Sequence, residues 1–258
     1  MNAAPRLRPF ILGSALVLLS ATIAPAYADG PTPPAWSYGG STGPAHWGSE
    51  DPAYATCGVG ERQSPIDIEK AESADLPAIE FGYQPVPLAV TDTGFTMQVN
   101  VPPGSGGITV GKDHYELVQF HFHRPSEEKI RGRRYDLVVH LVHKSEAGKL
   151  AVVAVLFSSG KGNRVLKQVL ENMPAPGEKQ KSVPGVTLDL AQLLPSARGY
   201  YTFEGSLTIP PCSEGVRWFV LKRVMQAKSG EILLFATRYP DNARPTQPTH
   251  GREIEQTR

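Results

Sequence analysis

The stretch Gln119-Phe120-His121-Phe122-His123, with His140 and His143 further on, holds the residue types best suited to chemistry. Side chains on a strand alternate faces, so His121 and His123 share one face while Phe120 and Phe122 share the other. Two imidazoles on one face make half of a metal site. A second apolar stretch, Leu137-Val138-Val139-His140-Leu141-Val142-His143, reads as another strand able to bring in a third. Three nitrogen ligands with an open fourth position is the arrangement of a catalytic zinc, whereas a structural zinc is closed by four protein ligands. An H-x-H pair alone is weak, because the chain has seven histidines and such pairs arise by chance. His140 and His143 point to opposite faces of one strand, so only one can join the pair. Neither spacing nor periodicity chooses between them.

The elements that must position these side chains are mostly strands. Twenty-four prolines and twenty-five glycines point to many turns and a β-rich chain. Residues 79–90, 95–101, 115–123, 200–203 and 216–220 read as strands, and Ile108-Thr109-Val110 as another. Leu150 to Phe157 is an uninterrupted apolar run, as expected of a central strand buried on both faces. Asn163 to Asn172 has helical spacing, stopped by Pro174; Val186 to Leu194 reads as a strand entering a short helix, and Ser229 opens a last helix through about Tyr239. The polar, basic segment 124–136 joins the two histidine strands, a length suited to antiparallel neighbours linked by a loop or a longer hairpin. One large, mostly antiparallel sheet with short peripheral helices fits best, in a single domain undivided by linkers or repeats.

The first twenty-eight residues stand apart. Arg6 and Arg8 precede an apolar run, Phe10 to Leu19, that is short for a bilayer span, and Ala26-Tyr27-Ala28 matches a small-residue cleavage site. Residues 1–28 thus read as a signal peptide and 29–258 as the mature domain. Its removal takes two basic and no acidic residues, turning the formal net charge of +1 into −1. With no basic patch left, nucleic acid and membrane surfaces are not expected partners. Cys57 and Cys212 are the only cysteines. After an export signal, an even count favours one disulfide between them.

Gln119-Phe-His-Phe-His123 followed by Pro125-Ser126-Glu127, then His140-Leu-Val-His143, resembles the α-class carbonic anhydrases, particularly the exported bacterial members. The likeness continues through Gly60-Glu61-Arg62-Gln63-Ser64-Pro65-Ile66-Asp67, through Gly205-Ser206-Leu207-Thr208-Ile209-Pro210-Pro211-Cys212, and through Asn242-Ala243-Arg244-Pro245-Thr246-Gln247-Pro248. The motifs keep the family's order and spacing from about Trp36 to Ile254. The resemblance implies a mostly β fold around a ten-stranded, mostly antiparallel twisted sheet, with one zinc at the bottom of a conical cleft. It implies His121, His123 and His140 as the zinc ligands, and leaves His143 off the metal. It implies reversible hydration of carbon dioxide to bicarbonate by zinc-bound hydroxide. Thr208 and Glu127 match the pair that orients this hydroxide, Gln119 the residue that holds the first ligand by a hydrogen bond, and Val142, Val152, Leu207 and Trp218 the apolar wall for the uncharged substrate.

Four positions depart from that pattern. Phe95 stands where many members carry a histidine that relays protons to solvent, and phenylalanine carries none. Unaided loss of a proton of pKa about 7 to water is capped at on the order of 10²–10³ s⁻¹ by diffusion, against the ~10⁶ s⁻¹ established for carbonic anhydrase itself. Proton export is therefore expected to limit turnover, unless another relay runs, for example through Tyr38 or His114. Val138 stands two residues before His140, where many members place a glutamate that accepts the third ligand's ring proton; another group or a water is left to stand in. Ile209 occupies a cleft position often held by threonine or histidine. Glu128 also varies, from the histidine common there. A non-catalytic binding module on the same fold is the alternative, and the complete ligand set with Thr208 and Glu127 argues against it. An esterase is a third reading, disfavoured by the small apolar pocket. A periplasmic or secreted location and a homodimer are further expectations, the homodimer resting on the likeness to exported members alone.

Overall fold

The computed structural model describes Met1 and Trp36–Arg258, so the signal-peptide reading lies outside the described residues. Hydrophobic alternation decides the architecture. Ten strands follow one another across a sheet, each bonded to the next: Gln180–Leu188, Val86–Asp92, Met97–Asn100, Asp113–His123, Leu137–Lys144, Leu150–Ser159, Glu214–Leu221, Tyr200–Ser206, Glu255–Thr257 and Glu72–Ala74. Three further strands attach off this path, making a thirteen-stranded sheet. Most pairs are antiparallel; Leu150–Ser159 runs parallel to Glu214–Leu221, and Glu255–Thr257 parallel to Glu72–Ala74.

The continuous apolar run lies at the middle of the sheet, with Ala151 to Phe157 all buried. Its neighbours cover both edges, so its residues split between two cores. Ala151, Val153, Val155 and Phe157 join Phe120, Phe122, Val139 and Leu141 in the larger core. There they meet Val165, Leu166, Val169 and Leu170 of the helix Arg164–Leu170 and Phe235 of the helix Ser229–Ala236. Val152, Ala154 and Leu156 face the other way, into a smaller cluster with Val138, Phe203, Val216, Trp218 and Val220. The histidine pair points to this second face.

Local signals explain the helices and their limits. The Asn163 side chain accepts from the Leu166 amide at 3.0 Å and starts the helix Arg164–Leu170. The last helix ends at Ala236 rather than near Tyr239, ahead of Pro240, and Arg238 and the Tyr239 hydroxyl both reach the Asp92 carboxylate. Gln180–Leu188 begins earlier than its apolar residues suggest: at the sheet's edge its backbone does the pairing, and its register shifts between Ser182 and Thr187 around Pro184-Gly185. Segment 124–136 is a small hairpin, Lys129–Ile130 with Arg133–Arg134, docked on Asp67–Ile68 as a separate three-stranded sheet.

A third cluster ties the chain's start to the loop after Ser206. Cys57 and Cys212 are joined by a disulfide across 155 residues and pack with Trp47, Trp36, Tyr38 and Tyr54. Among the described residues no helix is long and apolar enough to cross a membrane. Replacing both cysteines with serine is expected to lower the unfolding free energy by about 2–5 kcal/mol, because the unfolded chain regains the freedom that so long a loop removes. The readout is a lower denaturant midpoint with an unchanged far-ultraviolet spectrum.

Candidate metal centre

Strand register assembles the site. In the antiparallel pair, His140 lies directly opposite His121, Val138 opposite His123, and Val142 opposite Gln119. The alternation within each strand then places His121, His123 and His140 on one face. His143 leaves this face by alternation along its strand, and its ring is buried on the other side, with Nε2 2.9 Å from the Tyr83 hydroxyl. The choice between His140 and His143, open in the sequence, is made by the pairing.

Each imidazole is held at one nitrogen. His121 Nδ1 lies 2.8 Å from Gln119 Oε1, and His123 Nδ1 lies 2.7 Å from the Asn242 carbonyl oxygen. Both oxygens only accept, so Nδ1 carries the proton and the Nε2 lone pair is free. His140 is reversed, with Nε2 2.9 Å from Glu128 Oε1, which leaves Nδ1. One ligand atom from each ring lies within 4.8 Å of the others. His123 Nε2 is buried without a hydrogen bond, the orphan that a metal ion would satisfy. Burial holds His121 down to about 3 and His123 well below the usual imidazole value, so both are neutral donors. At His140 burial pulls the same way, but the Glu128 and Glu127 carboxylates outweigh it and raise the ring. The donor set fits zinc, a borderline-soft, four-coordinate ion that in catalytic sites takes three protein ligands and keeps the fourth position for water.

The surrounding groups come from two loops, one after His123 and one after Ser206. Glu127 is fully buried; its Oε1 accepts from the Arg244 amide at 2.7 Å, and its Oε2 faces His123 Nε2 at 3.4 Å and His140 Nδ1 at 3.9 Å. Burial raises this carboxyl to about 7, and Thr208, as a hydrogen-bonding neighbour, draws it partly back. Oε2 itself has no hydrogen bond of regular geometry. Thr208 is buried on the loop after Ser206, beyond Gly205. A Cβ on Gly205 would stand 2.2 Å from Ser64 Oγ and 2.7 Å from the Trp218 ring, so only glycine allows this close approach.

The apolar residues fall beside the ligands. Val142 pairs with Val152 and Val152 with Trp218, a row one step along from His121, His140 and Ala154. Leu207 packs on the same cluster, and the Trp218 ring meets His140 edge-on at 5.0 Å. Phe95 lies under Trp36, ring centroids 3.8 Å apart and nearly parallel. Tyr38 is pushed well above its ordinary value by burial and by Glu127. His114 sits near the start of Asp113–His123, engaged with Thr109 and Glu116.

Four contributors have no role assigned to them in the sequence reading. Gln98 and Asn100 lie opposite His121 and Gln119, a polar wall foreshadowed only by the alternation Met97-Gln98-Val99-Asn100. Asn242 holds His123 through its carbonyl, takes the Arg124 amide on Oδ1, and donates to the Phe95 and Phe122 carbonyls. Glu128 supplies the carboxylate that Val138 cannot. No spacing rule reveals it, because it reaches His140 from another element.

A sequence model of the eukaryotic-type carbonic anhydrases matches residues 42–258. The chain is 38% identical over 224 residues to a carbonic anhydrase of Nostoc sp., covering 85% of this chain and 84% of that one. It is also 38% identical over 251 residues to one from Neisseria gonorrhoeae, covering 97% and 98%. The α-carbonic anhydrase of Thermovibrio ammonificans, solved with sulfanilamide, superposes with a TM-score of 0.82 at 38% identity, over 87% of this chain and 99% of that one. A histidine triad on one sheet face, its buried carboxylate neighbour and these matches over most of the chain agree: this protein belongs to the eukaryotic-type, or α-class, carbonic anhydrases.

Proposed function

We propose that the chain catalyses the zinc-dependent, reversible hydration of carbon dioxide to bicarbonate and a proton. One observation carries this reading: three imidazoles, each held at one ring nitrogen, turn their other nitrogens together beside buried Glu127 and Thr208. Zinc bound there supplies hydroxide at neutral pH by lowering the pKa of a water to about 7, for which carbonic anhydrases are themselves the established example. His121 and His123 offer Nε2 and His140 offers Nδ1. Thr208 gives its hydroxyl proton to Glu127, so its oxygen can only accept, and it turns a lone pair of the attacking oxygen toward the substrate. Val142, Val152, Leu207 and Trp218 receive carbon dioxide, which has no charge to grip and so needs an apolar wall. Gln119 keeps His121 in one orientation.

The proton leaves without a side-chain relay. Phe95 and the Trp36 stacked on it have no titratable group. Tyr38, held protonated by burial, does not titrate near neutral pH. Release therefore falls to dissolved buffer. The protein acts after removal of residues 1–28, in the periplasm or outside the cell, where the Cys57–Cys212 disulfide suits an oxidising compartment.

Stopped-flow hydration of carbon dioxide, with and without zinc and across buffer concentrations, tests this. Activity should vanish on chelation, return with zinc, and rise with added imidazole-type buffer; absence of zinc-dependent hydration overturns the function, and a high turnover indifferent to buffer overturns the proton route. Phe95→His should raise turnover at low buffer and leave the high-buffer limit nearly unchanged. Thr208→Val should lower kcat/KM by on the order of 10²-fold, the size expected when the attacking group loses its orientation, at full zinc content.

A further inference from the structure

Glu128 is fully buried, and its single hydrogen bond of regular geometry through the side chain is to His140 Nε2 at 2.9 Å; its Oε2 has no partner. On His140's own strand the residue on the same face is Val138, which is buried and offers the ring nothing polar. We propose that Glu128 is the positioning residue for His140: by accepting the Nε2 proton it fixes the tautomer that leaves Nδ1 for the metal and locks the rotation of the ring.

Two features support the assignment. The first is the difference among the three rings. His121 and His123 are held at Nδ1, by an amide oxygen and a main-chain carbonyl. Only His140 is held at Nε2, and only by a carboxylate. Without Glu128 no hydrogen bond fixes which of its two nitrogens carries the proton, and neutral rings would be free to carry it where the metal must bind.

The second is how firmly Glu128 is seated. Its carbonyl accepts from Ser126 Oγ at 2.8 Å, and Ser126 Oγ accepts from the Tyr135 amide at 2.9 Å. The Lys129 amide donates to the Ile66 carbonyl, and Lys129–Ile130 pairs with Asp67–Ile68. The Arg124 amide is held by Asn242 at the loop's other end. Residues 123–128 thus form one braced segment that carries a ligand at His123, the Thr208 neighbour at Glu127 and the His140 acceptor at Glu128. The small three-stranded sheet, which makes no part of the large one, is the base on which that segment rests.

If the carboxylate acts only by accepting from Nε2, its place of origin is exchangeable. The inference rests on the zinc reading above, and its test is zinc retention rather than turnover. Zinc-loaded wild type, Glu128→Val, Glu128→Gln and the double variant Glu128→Val/Val138→Glu are mixed with excess chelator, and zinc loss is followed by the chelator's absorbance. Glu128→Val should lose zinc about 10–100-fold faster, the usual consequence of removing such a partner. Glu128→Gln, which keeps the shape and an accepting oxygen, should fall between. The double variant, with the carboxylate moved to His140's own strand, should return to within a few-fold of wild type. Rescue separates positioning from mere support of the fold, since a carboxylate at 138 restores none of the packing at 128. Wild-type release from Glu128→Val, or no rescue in a folded double variant, overturns the role of Glu128. If Glu128→Val does not fold, Glu128→Gln decides: release equal to wild type overturns the proposal. A wild-type chain that holds no zinc overturns the functional reading as well, which separates the two failures.

Discussion

The pairing of two strands, with His140 set against His121, is the constraint on which the rest depends. A slip of one residue would turn His140 into the larger core and bring Val139 or Leu141 to the metal face. The slip is prevented by burial on both sides. Phe120, Phe122, Val139 and Leu141 are committed to one core, and Val138 and Val142 to the other cluster. The adjacent run Ala151–Phe157 obeys the same division. Exchanging the faces would put histidines in a dry core and phenylalanines over a polar cleft. The register of a polar site is thus set by apolar residues that never touch it.

On that frame the site is completed by polar groups that mostly satisfy one another. Buried donors and acceptors without partners are costly, and native chains leave few. Among the described residues, seven buried side-chain atoms lack a hydrogen bond, and two of them, His123 Nε2 and Glu127 Oε2, face each other at 3.4 Å. Asn242 and Arg244 explain why the others nearby are satisfied: their main-chain and side-chain groups reach His123, Arg124 and Glu127, and the Arg244 guanidinium binds Gln63, Ser64 and Cys57. The Gln63-Ser64-Pro65 and Asn242-Ala243-Arg244 motifs, far apart in sequence, meet here.

The aromatic cluster around the disulfide follows a different logic. Trp36, Tyr38 and Trp47 pack edge to face around the disulfide, and Phe95 extends the group by stacking on Trp36. An aromatic ring at 95 gains burial and contact from its neighbours. Position 95 is thereby part of an aromatic stack.

By itself the sequence determined what local periodicity can express. Alternation in Gln119–His123 put two imidazoles on one side, the run Leu150–Phe157 marked the central strand, and Asn163 opened a helix that its apolar stripe then buried. The resemblance to α-class carbonic anhydrases added His140, Thr208 and Glu127 as expectations. Tertiary structure decided the rest. It selected His140 over His143 by register, and it brought the Asn242 carbonyl to His123. It also replaced the carboxylate missing at Val138 with one from Glu128. The physical reason is the same in each case. A hydrogen bond or a shared ion depends on where atoms lie in space, and two residues on different elements meet only after packing has fixed both, which no spacing along the chain records.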